Sequence, residues 1–563
     1  MNFSNGAQYF AHFLKESGVT HLFFMPAIGM NSLAAMEDLP IKRVMTHGEK
    51  SAAYMADGYA RASGRPGVCL AQQIGASNLS AGLRDAFMAG TPLIAISGGP
   101  SSAGRYRGAY QEVEDFSQFD AVTKLNAVVE TPQRLPDMLR QAWRTATSGA
   151  PGPVHLRWPG AHGEVPEGHA DLNFLVEPAY RKLPAFRPVA DQASIEKVLA
   201  LLSQAQRPII VAGGGVIQSG AQTELLQLAQ VLDIPIATSM NAKAALPDSD
   251  PLSVGVLGTY SRECANRAVF EADLVFFIGS RTGGQVSTLW TIPAVGTPVI
   301  QLDIDPLILG RNYPNSASLC GDAKATLLVM LTFLKARKNK AWTDHTRSLV
   351  HQWRQWAFAF QNANDQPMRP ERVCEEISKA LPADAVVVSD TGHSGMWSAA
   401  MIRLEHSTQQ FLRCAGSLGW ALPAAIGAKC AVGNRPVLCW AGDGAVYYHL
   451  AELETAARYG INLVVVVNNN NALNQEIPLF DIAYGGKMRG DSDDLWRHNL
   501  VNFAQVAENL GCIGYRVETP EQLQVALQKA FLQKRPVVID VVTDVKAMAA
   551  KAWRPAGVAH RAH

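Results

Sequence analysis

Along the first third of the chain, stretches with apolar positions at helical spacing (7–17, 30–36, 49–62 and 78–89) take turns with apolar runs of strand length (21–25, 42–45, 67–71 and 92–97). Helix and strand alternating in this way predict a parallel sheet covered on both faces. The segment 164–184 is irregular and contains prolines, which reads as a linker. A second alternating unit follows, with strands at 209–212, 274–278 and 299–302. The basic stretch 335–340 reads as solvated, and with the polar, tryptophan-containing segment up to residue 369 it forms a second linker. A third unit opens near Pro370, with strands at 385–389, 437–441, 463–467 and 537–542 and helices at 503–510 and 520–531. The pattern predicts an α/β chain of three doubly wound parallel-sheet domains, at 1–180, 189–340 and 370–545. The basic, loosely patterned tail at 546–563 would either fold over a site as a lid or lack order.

Composition narrows the function classes. At 563 residues the chain has ample core for three domains. Lys and Arg number 50 against 49 Asp and Glu, so no global field draws the chain to nucleic acid or to a membrane surface. No apolar run is long enough to span a bilayer, and the first residues lack the basic segment and apolar core of a signal peptide. The expectation is a cytoplasmic protein that recognises a small molecule locally. Eight scattered cysteines form no CxxC pair and read as small hydrophobes rather than disulfides or metal ligands.

The candidate chemistry lies between Pro436 and Glu476. An apolar strand breaks at Gly442-Asp443-Gly444, a helix follows, and a second strand ends in Asn468-Asn469-Asn470-Asn471. Both strands of such a unit end at one sheet edge, where open α/β sheets bind ligands, so the Asp and the asparagines meet in space. A carboxylate and an amide oxygen suit Mg²⁺, and flanking glycines admit a diphosphate close to the backbone. By itself Gly-Asp-Gly is also ordinary turn chemistry. In the middle unit Gly213-Gly214-Gly215 invites a dinucleotide reading, but Gln218 stands where GxGxxG needs its third glycine, and a strand-to-helix turn accounts for it.

Gly-Asp-Gly followed after 24 residues by Asn469-Asn470 resembles the signature of thiamine diphosphate (ThDP) enzymes. The resemblance implies metal ligands at Asp443, Asn470 and the Ala472 carbonyl, with Gly442, Gly444 and Ala445 beside the diphosphate. The run of four asparagines leaves the register open by one. The segment from Thr46 to Arg61 is similar to the stretch carrying the catalytic Glu of acetolactate synthase-like members, which implies that role for Glu49. A carboxylate on the cofactor's pyrimidine nitrogen favours the imino tautomer that activates the cofactor; a helix-dipole Glu is the plain alternative. Gly416-Ser417-Leu418-Gly419 resembles the loop whose bulky residue, here Leu418, bends the cofactor while the Gly416 carbonyl accepts from its amino group. Thr391-Gly392-His393 resembles the other diphosphate-side loop. The outer domains would then be of Pyr and PP type.

Departures from the family pattern bear on the substrate. Gln111-Glu112 stands where pyruvate decarboxylases carry a His pair, and Gln111 matches acetolactate synthase. Leu473-Asn474-Gln475-Glu476 replaces that enzyme's Met/Val/Trp cluster. The apolar Ile477, Pro478 and Leu479 that follow Glu476 are expected to raise its carboxyl toward the range useful for proton transfer, against the alternative of an exposed first-turn Glu. The implied catalytic set is Glu49, Gln111 and Glu476. The implied reaction is decarboxylation of a pyruvate-like 2-oxo acid and transfer of the acyl unit to an acceptor; alternatives are a benzoylformate-type decarboxylase, a 2-hydroxyacyl-CoA lyase or a silent ThDP-binding protein. The resemblance also implies a homo-oligomer, dimer or tetramer, with sites shared between subunits. Leu257-Gly258 and Gly279-Ser280-Arg281 resemble flavin-contacting segments, but Thr282-Gly283-Gly284 replaces the usual Asp-Asp-Arg, which leaves FAD or ADP in the central domain open.

Overall fold

A computed structural model describes residues 2–112 and 117–556. It contains three six-stranded parallel sheets, and a two-stranded antiparallel ribbon pairs Asn2–Asn5 with His169–Asn173. With strands counted within each domain, the first and third sheets share the order 2-1-3-4-6-5, whereas the central sheet runs 3-2-1-4-5-6. The inner strands are continuous Val/Ile/Leu/Phe runs because helices cover both faces, as in Val437–Gly442, Val464–Asn469 and Leu274–Ile278. In each sheet strand order reverses beside the domain's first strand, and ligands of open sheets bind beyond the strand ends at such a point. In the third sheet the reversal lies between Val386–Ser389 and Val437–Gly442, so their following loops, Asp390 to His393 and Asp443 onward, open side by side.

The first and third domains are joined by two helices, Glu49–Ser63 and Ala421–Val432, that touch backbone to backbone. A Cβ at Gly58 would stand 1.9 Å from the Ala424 carbonyl oxygen, and one at Gly427 would stand 1.8 Å from that of Met55. Beside this contact, buried Asp57 accepts from Arg61 Nη2 at 2.6 Å and from Trp420 Nε1 at 2.9 Å. Gly58→Ala must push the helices apart and is expected to cost about 1–3 kcal/mol, seen as a lower urea midpoint with an unchanged slope.

The second linker and the start of the tail both carry tertiary contacts. Arg337, inside the stretch read as solvated, donates to the carbonyls of Leu202 and Ser203 at 2.8 and 3.2 Å and to Ala205 at 2.5 Å, satisfying the carbonyls that end the helix Gln192–Gln204. The tail from 546 to 556 is packed: Ala547 and Ala549 are buried, the Trp553 carbonyl accepts from Asn266 at 3.0 Å, and its ring meets Phe270 at 5.5 Å. Residues 557–563 lie outside the described residues. Six cysteines are buried, Cys430 is half-buried and Cys320 is exposed. No helix among the described residues is long and apolar enough to cross a membrane.

Candidate active site

Asp443 begins a short helix directly off its strand, and Gly444 follows it because a Cβ there would lie 2.5 Å from Leu473 Cδ2. The Asp443 carboxylate accepts from Gly444 N at 2.7 Å and from Ala472 N at 3.1 Å. Asn470 Oδ1 accepts from the same Ala472 N at 3.1 Å. Two oxygens thus share one donor in a buried place, an arrangement that a hard cation between them would relieve. Burial pushes the Asp443 carboxyl up to about 7, although the N–H groups of Gly444, Ala472 and Asn471 pull the other way. A bridge between Ala472 and Arg497 uses the backbone groups of Asn471 and Leu473 and leaves the Ala472 carbonyl outside its hydrogen bonds.

The four asparagines divide the work. Asn468 donates to Ser394 Oγ at 3.3 Å. Asn469 donates to Asp540 at 2.8 Å and to the Val501 carbonyl at 3.0 Å, and Asp540 also takes Arg516 at 2.6 Å and Phe503 N at 2.9 Å, which is architectural. Asn471 turns the chain with φ of 56°. Asn470 is the one whose oxygen lies beside Asp443. No group of three or more His, Cys, Asp or Glu that would hold a metal occurs among the described residues, so a cation here would rest on mixed carboxylate, amide and carbonyl oxygens.

Two loops close the same edge. Asp390, which sequence reasoning passed over, is buried and accepts from Thr391 N at 2.9 Å, Gly419 N at 3.1 Å and Ala421 N at 2.8 Å. It thereby ties the Thr391–His393 loop to the Gly416–Gly419 loop; burial raises its carboxyl to about 6 against those bonds. Gly392 has φ of 68° and Gly416 has φ of 155°, with open space where a Gly416 Cβ would be. His393 Nδ1 lies 2.9 Å from Asn474 Oδ1, and Asn474 donates to the Ala547 carbonyl at 3.0 Å, so the tail braces this loop from behind. Leu418 packs half-buried against the core shared by the outer domains, and Ala445 is buried in it.

Glu49 opens its helix, but its carboxylate is held: Asn78 Nδ2 donates to Oε2 at 3.1 Å, and a Cβ at Gly75 would come within 2.5 Å of Oε1. It lines a 300 Å³ cavity with Lys50, Ser51, Asn78 and the Tyr447–Glu452 segment that continues from Asp443. Among the described residues Glu49 makes no hydrogen bond to Asp443, Asn470 or the Thr391–His393 loop. Gln111 sits half-buried with φ of 62° in the loop beyond Leu93–Gly99, where Glu112 accepts from Tyr106 N at 2.6 Å and Ala109 N at 2.9 Å. Glu476 stands at the N-terminus of the helix Ile477–Ala483 without a side-chain capping bond; none of that helix's residues is buried and Leu479 is 51% exposed, so this chain alone does not enclose Glu476 in apolar surroundings.

Another feature missed from sequence is His449, whose Nδ1 lies 2.8 Å from Ser51 Oγ across the domain junction. Burial, then Lys50, holds its imidazole down to about 4. Its folded value lies below the ordinary 6.5, so this stability is present above pH 6.5 and is lost as pH falls toward 4. Thermal unfolding scanned from pH 7.5 to 5 is expected to show less acid loss in His449→Gln than in the wild type, the difference reaching about 2 kcal/mol at pH 5.

Family models described as the N-terminal TPP binding domain, the central domain and the C-terminal TPP binding domain of thiamine pyrophosphate enzymes match residues 4–119, 195–330 and 390–541. A probable acetolactate synthase large subunit of Methanocaldococcus jannaschii is 31% identical over 558 residues, covering 96% of this chain and 92% of the relative. The chain belongs to the thiamine pyrophosphate enzymes. Acetolactate synthase large subunits of Haemophilus influenzae (29% identical; 96% of this chain, 94% of the relative) and Corynebacterium glutamicum (31%; 89% and 80%) place it in the acetolactate synthase-like branch. In this ThDP enzyme the two TPP-binding domains are the two sheets of identical strand order, and the central domain is the one with the different order.

Proposed function

We propose that this enzyme decarboxylates a pyruvate-like 2-oxo acid and passes the acyl unit to a carbonyl acceptor, in the cytoplasm. The observation that carries the site is the convergence of Asp443 and Asn470 oxygens on one N–H at the strand-order reversal. There Asp443, Asn470 and the Ala472 carbonyl would hold Mg²⁺, with Gly442, Gly444, Ala445 and Thr391 to His393 around the diphosphate. ThDP held there would supply the nucleophilic carbon and the electron sink that the decarboxylation needs. Glu49 would share a proton with the cofactor's pyrimidine nitrogen, and Leu418 with the Gly416 carbonyl would shape the bound cofactor. Gln111 and Glu476 orient substrate and acceptor. A panel of 2-oxo acids assayed for carbon dioxide release tests the proposal: pyruvate or a close homologue should turn over, and turnover of none of them by ThDP-loaded enzyme would refute it.

The working unit in this proposal is a dimer or tetramer of this chain. Supporting it, the helix Ile477–Ala483 buries nothing, with Leu479 and Ile482 51% and 71% exposed. A second copy covering that helix would also complete the apolar surroundings of Glu476. Mixing Glu49→Gln with Asp443→Ala subunits should restore part of the activity that each lacks. No recovery after demonstrated subunit exchange would place both residues on one chain's site.

For the central domain we propose FAD or ADP in a cavity of 240 Å³ at that sheet's own reversal point. Gly213 N and Gly215 N already donate to Ile278 and Gly279 carbonyls at 2.8 and 3.0 Å, so these glycines serve strand-to-strand contact. The charges of Arg281 and Arg413, both lining the cavity, would take the phosphates instead.

A further inference from the structure

A third cavity, 490 Å³ in volume, lies where the central domain, the helix Lys340–Gln361 and the third domain meet. Its floor includes Arg262, 4% exposed, which donates from Nε to the Ala400 carbonyl at 2.8 Å and from Nη1 to Asp248 at 2.5 Å. Its Nη2 is buried and has no partner. Trp353 covers the guanidinium at 4.7 Å, and Phe358 and Met401 add apolar wall.

The charges around this floor do not balance. Asp248 faces Arg262, and buried Lys243 stands 3.8 Å from it, while Arg354 Nη2 donates to the Asp248 backbone carbonyl at 2.7 Å. Two cations, Arg262 and Lys243, therefore share the Asp248 carboxylate, while Arg354 meets only the backbone carbonyl. The two carboxylates of the lining itself, Glu375 and Glu405, are already taken: Arg403 binds Glu375 through two hydrogen bonds and Glu405 at 3.2 Å, and Lys379 stands 3.7 Å from Glu375. A buried guanidinium with an unused N–H, beside a second guanidinium without a carboxylate, calls for an anion.

We propose that this cavity binds a small anion, a carboxylate or a phosphate, through Arg262 and Arg354, with Trp353 and Phe358 against any apolar part of it. The cavity lies apart from the Asp443 site, but one helix joins them. Gly392–Ala400 begins in the cofactor-side loop and ends at the carbonyls of Ala399 and Ala400, which accept from Lys243 at 2.9 Å and from Arg262. An anion that draws on Arg262 therefore acts on the end of the element whose start lies in the loop proposed to meet the diphosphate.

The test is calorimetric titration of the full chain with inorganic phosphate and, separately, with benzoate. Saturable one-to-one binding of at least one probe is expected, weakened roughly tenfold or more by Arg354→Gln, restored in part by Arg354→Lys, and unchanged by Lys335→Gln on a remote surface. Arg262→Lys should weaken it likewise; should that variant not fold, the Arg354 pair decides alone. Phosphate alone, benzoate alone, or both tell which anion chemistry and how much apolar contact the cavity accepts. Absence of saturable binding by either probe overturns the proposal, as does binding that Arg354→Gln leaves at wild-type strength.

Discussion

Asp443→Ala is expected to weaken Mg²⁺-dependent ThDP uptake by at least ~100-fold, and Asn470→Ala to do nearly the same, while Asn468→Ala stays within a few-fold of wild type. The reason is positional. The Asp443 and Asn470 oxygens lie together on Ala472 N, whereas Asn468 reaches Ser394. Asn469→Ala should show a different failure, loss of fold stability, because its amide belongs to the Asp540, Arg516 and Phe503 cluster. Titrating ThDP at fixed Mg²⁺ by tryptophan fluorescence, alongside thermal unfolding, separates the two kinds of loss. Equal effects of Asn468→Ala and Asn470→Ala on uptake would shift the metal register by one or more residues.

Glu49→Gln is expected to lower turnover by ~10²- to 10⁴-fold while ThDP uptake changes little. Glutamine keeps the size and the hydrogen bond from Asn78, and it removes the carboxylate that would share a proton with the pyrimidine. Measuring kcat and cofactor affinity on the same preparation checks this. A large loss of affinity with unchanged kcat at saturating ThDP would make Glu49 a packing residue of the Gly75 turn.

Much of this was legible in the sequence because its signals are local. The three alternating units, the strand that breaks at Gly442 and the asparagine run all depend on near neighbours, and the folded sheets follow them. The spacing between Gly444 and the asparagines was readable since one strand-helix-strand unit fixes both ends at one edge. What stayed hidden depends on long-range placement. Asp390 ties two loops nearly thirty residues apart on the chain, and nothing local marks it beyond its place just before Thr391. The pairing of Ser51 with His449 crosses domains. Arg337 looked solvated because a capping guanidinium and a free one have the same sequence context. The surroundings of Glu476 were not legible for a related reason: apolar neighbours along the chain do not enclose a side chain unless something packs over them.

The most direct measurement is the fate of isotopically labelled pyruvate incubated with ThDP- and Mg²⁺-loaded enzyme. Carbon dioxide release should be accompanied by label joined to a second substrate molecule as a carboligation product, and Glu49→Gln should suppress both together. Release of free aldehyde as the only labelled organic product, or unchanged pyruvate from enzyme shown to hold ThDP, would contradict an acetolactate synthase-like carboligation of this substrate.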